Sequence, residues 1–532
     1  MELRDQGPKA LRPVAAGVAR VALLAGPTAL AFFDGGYFEG PRLTAAIVAW
    51  VLVAVLALAV DGGVPTVPAA DLQGSAAGPG HRRWVPRPSP LLPRSTALRL
   101  ALGGLAGLTL WAWLSRSWAP LAGPAGDDLQ RDVLYLGALV AAALAFRSRG
   151  WASSVEAVLA AGIVVVVGYG LAGRLLPGVV EVGRSVSAGG RLEEPLTYWN
   201  AMGALAAVGV VLCARLAADA LRADALRCLA AASGVALGLG LYLTYSRGAL
   251  AAVGCGLLVL TLLVPTWEQL RSTATIALGA AVVSLVASQF DGVASLAGDA
   301  AHQEAQGVLM LSILVAVAIV VAAVQALGTK VERERRIRLG RLPISRGVRL
   351  AGWAVAIALA LFPYAAAVVS ERGEENPAFG ANAERLGSIG SNRYAYWRVA
   401  ARTLADHPLQ GAGAGSFRVE WLRERPFRES VRDAHSLYFE TAAELGLVGL
   451  LLLAALLAGA LLAVRRALES DAAMAAGPAA ALAVWVVHAG VDWDWEMPAL
   501  TLVAVLLAGT LLGRVEAEAQ ARRAAAPTAP SA

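Results

Sequence analysis

The sequence predicts an all-α, polytopic membrane protein, a bundle of about fourteen transmembrane helices. Hydrophobic residues make up 57% of the 532 residues and charged residues only 16%, whereas about 25% of an average soluble chain is charged. Apolar runs of about 17–25 residues, the length that crosses a hydrocarbon core, recur along the whole chain. Most arginines fall between these runs, where positive charge orients a membrane protein. These observations favour one helical bundle over several soluble domains.

The predicted transmembrane segments follow from the length and spacing of the apolar runs. They are residues 14–33, 44–60, 97–114, 132–147, 152–173, 198–217, 228–245, 248–264, 273–290, 306–327, 350–370, 444–464, 474–490 and 498–513. The first run is too long for the apolar core of a signal peptide and lacks a cleavage site. We therefore predict that it is retained as the first helix.

The basic residues predict the orientation of the bundle. They concentrate in every second connection between spans, most densely in the block from Lys330 to Arg338. Because connections rich in Lys and Arg stay in the cytoplasm, both termini are predicted to be cytoplasmic. The protein is then a multi-pass protein of the plasma (inner) membrane. The odd-numbered connections, including a long loop before His435, are predicted to be extracytoplasmic.

This pattern divides the chain into six segments. They are N-terminal transmembrane helices (1–60), a disordered cytoplasmic loop (61–96), further transmembrane helices (97–370), a long extracytoplasmic loop carrying part of the site (371–435), C-terminal transmembrane helices (436–513) and a disordered cytoplasmic tail (514–532). The two segments predicted to be disordered are rich in Ala and Pro. Long loops with little apolar periodicity are usually functional, which draws attention to 371–435.

The net charge of +6 does not predict a nucleic-acid partner, because the arginines lie at the membrane boundaries. The cysteines lie in or beside apolar segments and lack metal-ligand spacing, so we predict that they are small buried hydrophobic side chains. They are Cys213, Cys228 and Cys255.

Three polar residues that are distant in sequence are predicted to meet at the extracytoplasmic face. Arg247 lies between the seventh and eighth spans, Arg393 lies in the long loop, and His435 directly precedes an apolar helix. An arginine between apolar helices is costly unless it has a partner or a wet cavity. Guanidinium groups suit phosphate oxygens, and a histidine can act as a general base for a hydroxyl. The set favours glycosyl transfer from a lipid diphosphate.

His435 and its neighbours in the predicted site also have structural interpretations. His435 is also compatible with a histidine that only forms hydrogen bonds at the membrane surface. Arg191, which precedes the sixth span, is either a further diphosphate ligand or a solvated loop charge. The neighbouring Tyr198 and Trp199 are typical of the aromatic belt at a membrane interface.

Three motifs in this order resemble the O-antigen ligase-related family, the ligases and polymerases of bacterial surface polysaccharides. They are Ser246-Arg247-Gly248, an Arg-x-x-x-Trp pattern (Arg393 to Trp397) followed by a Pro-Leu-x-Gly-x-Gly turn (Pro408 to Gly413), and a His-Ser-x9-Gly-x-x-Gly pattern (His435, Ser436, Gly446 and Gly449). The region that carries them covers about residues 190–450, half of the chain.

The resemblance implies a GT-C-like helical fold, a glycan donor linked to undecaprenyl diphosphate, and a reaction without metal or other cofactor. On this basis His435 is the expected catalytic base, and Arg247, Arg393 and Arg191 are expected to bind the diphosphate. The supporting residues are Glu444, Ser436, Trp397, Gly446 and Gly449. Glu444 is expected to orient His435, ahead of Asp433.

The Asp492-Trp-Asp494 segment is predicted to be a helix-end turn with an aromatic anchor rather than a metal site. Its alternative role is support of the acceptor site beside His488. Arg20, inside the first span, has no explanation from the sequence.

The expected partners are membrane lipids, the lipid-linked glycan and an acceptor that is a polysaccharide, a lipid or a protein. A protein O-oligosaccharyltransferase would use the same donor chemistry. A non-catalytic transporter or flippase is an alternative of a different class, but it would place charges near mid-membrane in broken helices. Here the notable charges lie at the outer edge of the spans.

Overall fold

The computed structural model describes residues 7–60, 92–334, 340–370, 381, 386 and 390–525. Over these residues the chain is helical, with one isolated β-bridge and no β-strand, which confirms the predicted fold class. The first helices are α1 (Gly7–Ala31), α2 (Glu39–Val60), α3 (Thr96–Ser115), α4 (Ala122–Ala145), α5 (Arg149–Leu175), α6 (Trp199–Ala218), α7 (Asp224–Leu243) and α8 (Arg247–Leu263). The others are α9 (Trp267–Ala287), α10 (Asp291–Ala294), α11 (Ala300–Glu334), α12 (Arg346–Ser370), α13 (Arg393–Asp406), α14 (Phe417–Glu424), α15 (Leu437–Ala489) and α16 (Pro498–Ala525).

Every predicted span coincides with one of these helices. Eleven helices in the described ranges are long and apolar enough to cross a membrane. The remaining predicted spans fall on α8, a shorter apolar helix, on α4, whose first half contains several charged residues, and on the second half of α15. Helix α15 has 53 residues and contains two predicted spans. The protein is an integral membrane protein with a polytopic helical fold.

Helix α15 is broken where its two spans meet. Asp471 leaves the helical conformation, with φ −151° and ψ 75°. Its carboxylate accepts hydrogen bonds from Arg149 Nε, at 2.6 Å, and from the backbone N–H of Met474, at 3.3 Å. A short polar side chain that accepts from a backbone N–H three residues later is a helix N-cap. The second half of α15 therefore begins as a new helix.

The first half of α15 packs closely on α3 through glycines. A Cβ atom added to Gly104 of α3 would lie 2.4 Å from the backbone nitrogen of Leu456. One added to Gly459 of α15 would lie 2.4 Å from the nitrogen of Ala101. Small residues that let two backbones approach are the usual basis of helix association in lipid.

Contacts between the connections define two ends of the bundle. At one end the rings of Tyr37 and Trp493 lie 5.5 Å apart, although they follow the first and the thirteenth spans. At the other end Arg149 and Asp471 pair between connections that follow even-numbered spans. We call the first the His435 end. It contains the connections 32–38, 116–121, 176–198, 244–246, 288–299, 390–436 and 490–497.

The helices differ in how much lipid-facing surface they carry. Helix α6 is buried along its whole length at the centre of the bundle. Helix α12 is largely exposed and packs mainly on α8.

Arg20, which the sequence left unexplained, reaches the end of α4. Its Nε donates a hydrogen bond to the carbonyl oxygen of Ala145 at 2.9 Å. Its guanidinium carbon lies 4.7 Å from the centre of the Trp151 ring. A carbonyl acceptor and a cation–π contact give this intramembrane charge a partner at the bundle edge.

Two predicted boundaries differ from the structure. The described part of the predicted loop 371–435 contains the helices α13 and α14. The predicted disordered tail is helical as far as Ala525, and Glu516 ties it to the start of α3 by accepting the backbone N–H groups of Arg94 and Ser95 at 2.8 Å each. Of the segments predicted to be disordered, residues 61–91 and 526–532 lie outside the described residues.

Candidate functional site

His435 lies at the His435 end, directly before α15. Its backbone is in the left-handed region, with φ 52°. Its Nδ1 lies 3.1 Å from the carbonyl oxygen of Asp433, and its ring is half-buried between the rings of Tyr396, 5.4 Å away, and Trp493, 6.5 Å away. The following Ser436 is buried and accepts the N–H of Phe439 at 3.4 Å. Ser436 is thus the N-cap that starts α15 just after the histidine.

Arg393 lies at the start of α13 and pairs with a residue far along the chain. Its Nη2 is 2.5 Å from Oδ2 of Asp492, which is fully buried. The hydroxyl of Tyr198 donates to the other oxygen of Asp492 at 2.6 Å. Burial by itself raises the pKa of Asp492, but the guanidinium of Arg393, the neighbouring imidazoles and the hydrogen bond from Tyr198 outweigh it and hold that pKa below its ordinary value. Asp492 is therefore a carboxylate that fixes one side of the Arg393 guanidinium.

Arg247 is the first residue of α8, which Ser246 caps by accepting the N–H of Ala249 at 3.3 Å. Its Nη2 donates to the carbonyl oxygen of Gly390 at 2.7 Å. Arg247 and Arg393 line the same cavity, of about 390 Å³, which we call the arginine cavity. The rest of its lining is mostly apolar and comes largely from α8 and α12: Gly248, Leu250, Ala251, Leu359, Phe362, Pro363, Ala366, Ala367, Leu386 and Ser391.

Arg191 lies outside this group. Its Nε donates to the carbonyl oxygen of Ala188 at 2.5 Å and its Nη2 to that of Ser187 at 2.9 Å. Its guanidinium carbon lies 3.6 Å from the centre of the Trp199 ring, and the residue is only 3% exposed. It lines a separate cavity of about 80 Å³. The expected diphosphate contact of Arg191 is not supported, and the alternative of a solvated loop charge is wrong, because the side chain is stacked and buried.

Glu444 does not contact His435. Its two carboxylate oxygens accept the backbone N–H groups of Gly415, at 2.8 Å, and Phe417, at 2.9 Å. The expectation that Glu444 orients His435 is therefore wrong. The acidic residue binds the glycine turn instead, because that turn presents two N–H groups that need an acceptor.

The glycine turn, residues 408–415, docks against the first turns of α15. Ala412 donates to the carbonyl oxygen of Ala443 at 2.9 Å, and Leu447 donates to that of Pro408 at the same distance. The backbone of Gly446 has φ 64° and ψ −162°, and a Cβ atom there would lie 2.3 Å from the carbonyl oxygen of Leu409. The glycine turn and Gly446 thus let two backbone segments pack directly on each other. This contact, which we call the glycine joint, positions the segment before α15.

We expect the substitution Gly446→Ala to break this joint. The φ and ψ of Gly446 are those of glycine alone, and an added methyl group would overlap the Leu409 carbonyl. The variant should lose about 3 kcal/mol of stability or more. Thermal unfolding in detergent measures this loss. Gly103→Ala, where an added Cβ meets no atom within 4 Å, is the matched control; equal melting temperatures of the two variants would contradict the assignment.

Two further expected supporting residues have packing roles. The ring of Trp397 stacks on that of Phe439 at 5.3 Å with an interplanar angle of 10°, and lies 5.0 Å from that of Tyr364. This stack joins α13 to α12 and to the first turn of α15. Gly449 lies one turn after Gly446 and is buried within α15.

Comparison with known proteins identifies the segment that contains most of these residues. Residues 232–454 match the family model described as O-antigen ligase. This segment belongs to the O-antigen ligase-related family. The resemblance predicted from the motifs is confirmed, and the family supports a membrane enzyme that transfers glycans. No curated protein matches the chain.

The ligase-family segment contains Arg247, Arg393 and His435, but several partners of these residues lie after it. Asp492, the partner of Arg393, belongs to the last connection at this end, and His488 lies just before that connection, in the last turn of α15. The imidazole of His488 is bound through Nδ1 to the carboxylate of Asp494, at 2.7 Å. The predicted helix-end turn is present as a 3-10 turn, Asp494–Glu496. In the sequence, the Asp492-Trp-Asp494 segment was the feature that indicated these partners.

Several acidic residues lie near His435. Burial raises the pKa of Asp433, against the attraction of His435, and burial raises the pKa of Glu496 to about 8. The carboxylate of Glu440 accepts the N–H of Ala434 at 2.8 Å. His435 is not one of the residues that line the arginine cavity, but it lies close enough to Asp492 and Asp433 to interact electrostatically with both. Among the described residues, no His, Cys, Asp and Glu side chains form a group of three or more that could hold a metal ion.

Proposed function

We propose that the protein transfers a glycan from undecaprenyl diphosphate to an acceptor hydroxyl at the extracytoplasmic face of the plasma membrane. The observation that carries this proposal is the arginine cavity. Two guanidinium groups, Arg247 and Arg393, line a space whose other walls are mostly apolar and come largely from the apolar helices α8 and α12. A lipid diphosphate has the matching chemistry, a doubly charged head on a hydrocarbon chain.

The cavity suits a donor that enters from the bilayer. Its apolar wall on α12 includes Phe362, which is 58% exposed, and that on α8 includes Leu250, which is 37% exposed. These side chains offer a surface to a polyprenyl chain while the arginines bind the diphosphate. Guanidinium groups bind phosphate oxygens in a bidentate manner and stay charged in apolar surroundings.

In the proposed reaction, the acceptor hydroxyl attacks the anomeric carbon of the donor sugar. His435 takes the hydroxyl proton, a new bond forms from the acceptor oxygen to the anomeric carbon, and the bond from that carbon to the diphosphate oxygen breaks. The electron pair of the broken bond stays on the diphosphate, where Arg247 and Arg393 stabilise the added charge. Asp492 keeps Arg393 in place before the reaction, so that little reorganisation is needed.

The orientation of the site rests on the basic residues. The block from Lys330 to Arg338 begins at the end of α11, at the end of the bundle opposite His435. If that block is cytoplasmic, the His435 end faces the periplasm or the cell exterior. Substrates there would be lipid-linked glycans that have already crossed the membrane.

The stereochemistry of the product tests the single-displacement scheme. Direct attack by the acceptor inverts the configuration of the anomeric carbon, because no covalent glycosyl-enzyme forms. NMR of the product made from a donor of defined anomeric configuration measures the outcome. We expect the opposite configuration in the new linkage. A product with retained configuration would require a nucleophile on the protein and would overturn the scheme.

A further inference from the structure

A second histidine lies beside the arginine cavity and is used by none of the steps above. His488 is in the last turn of α15 and is 0% exposed. Its Nδ1 lies 2.7 Å and 2.9 Å from the two carboxylate oxygens of Asp494, which is itself 1% exposed. A completely buried imidazole–carboxylate pair is costly to desolvate, so its presence needs a reason.

The pair is held in a fixed orientation. The backbone carbonyl oxygen of Asp494 accepts the hydroxyl of Thr501 at 2.6 Å. That hydroxyl in turn accepts the indole N–H of Trp485 at 3.2 Å. The backbone of Asp494 is therefore fixed against α16, and its carboxylate meets the His488 ring from the 3-10 turn between α15 and α16.

The other ring nitrogen of His488 is not used by Asp494. This Nε2 is buried and makes no hydrogen bond to any residue that the structure describes. It faces Gly248 in the first turn of α8, where an added Cβ atom would lie 3.5 Å from it. Gly248 also lines the arginine cavity, next to Arg247. The residue between His488 and the cavity thus has no side chain, and a ligand atom that approaches Gly248 would come close to Nε2.

The charges around His488 make Nε2 a hydrogen-bond donor. Arg393 is the partner of Asp492, so the buried carboxylate of Asp494 has His488 as its counter-charge. A buried carboxylate requires a positive partner, and an imidazolium carries a proton on each nitrogen. One N–H is directed at Asp494 and the other, on Nε2, points towards Gly248. A buried N–H needs a hydrogen-bond acceptor. Beside the arginine cavity, that acceptor is expected to be an anion.

We propose that Nε2 of His488 donates a hydrogen bond to a phosphate oxygen of the donor diphosphate, as a third cationic donor beside Arg247 and Arg393. Asp494 is the positioning residue that keeps the imidazole charged and correctly turned. This inference rests on the proposed function, because it takes the arginine cavity to be the diphosphate site. It extends the site to two residues outside the segment that matches the family.

Two substitutions of His488 separate this role from a purely structural one. A glutamine amide can replace the N–H of Nε2, whereas an asparagine amide reaches only the place of Nδ1 and can replace the contact with Asp494. We expect His488→Asn to weaken the binding of inorganic diphosphate by about tenfold or more, the worth of one charge-assisted hydrogen bond. His488→Gln should retain more of the affinity. The opposite order, with Asn near wild type and Gln impaired, would show that His488 only supports the turn.

The measurement is isothermal titration calorimetry of inorganic diphosphate with the purified full-length protein in nanodiscs. Wild type and Arg247→Ala are titrated beside the two His488 variants. Diphosphate binding that is lost in Arg247→Ala supports the cavity as the anion site. If Arg247→Ala binds like wild type, the proposed function fails. If only Arg247→Ala loses binding and both His488 variants match wild type, the inference alone fails.

Further variants and one further ligand complete the test. His302→Asn alters a second His–Asp pair, in which Nε2 lies 2.8 Å from Asp291 on an exposed surface, and should bind as wild type does. Gly248→Ala covers the case in which both His488 variants unfold, since its methyl group would lie 3.5 Å from Nε2 of His488 and 3.3 Å from Cγ2 of Val491, a close contact that a small shift of Val491 relieves. Unchanged binding would overturn the proposal. Undecaprenyl diphosphate in the nanodisc should show the same order of variants. An effect on the lipid alone would place His488 on the hydrocarbon chain and also overturn it.

Discussion

Glycan transfer should fall by about 10²–10⁴-fold when His435 is replaced by alanine, the usual contribution of a general base. The arginine cavity is untouched in this variant, so the donor should still bind with nearly the same affinity. The loss should therefore appear in kcat rather than in KM. Initial rates of glycan transfer in reconstituted vesicles, at several donor concentrations, measure both constants.

A glutamine at position 435 distinguishes the base from a histidine that only forms hydrogen bonds. Glutamine keeps polar atoms at the membrane surface but cannot accept a proton at neutral pH. We expect His435→Gln to be as inactive as His435→Ala. His407, an exposed histidine in the same part of the chain, gives the control variant His407→Ala, which should retain wild-type rates. Substantial activity in His435→Gln would contradict the base assignment.

The second large effect is expected at the arginines that line the cavity. Arg247→Ala should lower kcat/KM by about 10²–10³-fold, the cost of one preorganised donor to the developing charge. Arg247→Lys keeps the positive charge but loses the planar fork that matches a phosphate, so its loss should be intermediate. Arg349→Ala, on an exposed arginine at the opposite end of the bundle, is the control.

Arg393 needs a double variant because it also holds Asp492. Arg393→Ala leaves a buried carboxylate unpaired, which costs about 3–5 kcal/mol, so the single variant should lose stability as well as activity. Adding Asp492→Asn removes the unpaired negative charge and should restore much of the stability. Activity should stay low in the double variant, because the diphosphate still lacks its ligand. Recovery of transfer together with stability would show that Arg393 has only a structural role.

The length of the apolar runs was sufficient to predict the helices that cross the membrane, because backbone groups in lipid must be satisfied within each segment. The same alternation placed Arg247, Arg393 and His435 at one end of the bundle. In the sequence, Gly411 and Gly446 were visible only as parts of motifs. The structure shows that the backbones of these two glycines pack directly against each other.

Side-chain partners were the part that could not be predicted. Arg393 and Asp492 are separated by 99 positions, and no local pattern specifies such a pair. In the sequence, Arg191 resembled Arg247 and Arg393. In the structure its guanidinium stacks on Trp199, eight positions later, and donates hydrogen bonds to carbonyl groups of its own turn. Glu444 was assigned to the nearest histidine, whereas its carboxylate satisfies two N–H groups of the glycine turn. Charge and proximity in sequence do not determine which of several hydrogen bonds forms.

We propose that this protein breaks the bond between a glycan and a lipid diphosphate. A single turnover with purified protein in vesicles measures this step, with the labelled donor, the glycan product and free undecaprenyl diphosphate followed together. We expect free undecaprenyl diphosphate and transferred glycan to form in equal amounts in wild type and to be absent in His435→Ala. Donor that stays intact while it moves between leaflets in both proteins would identify a transporter and contradict the proposed transfer.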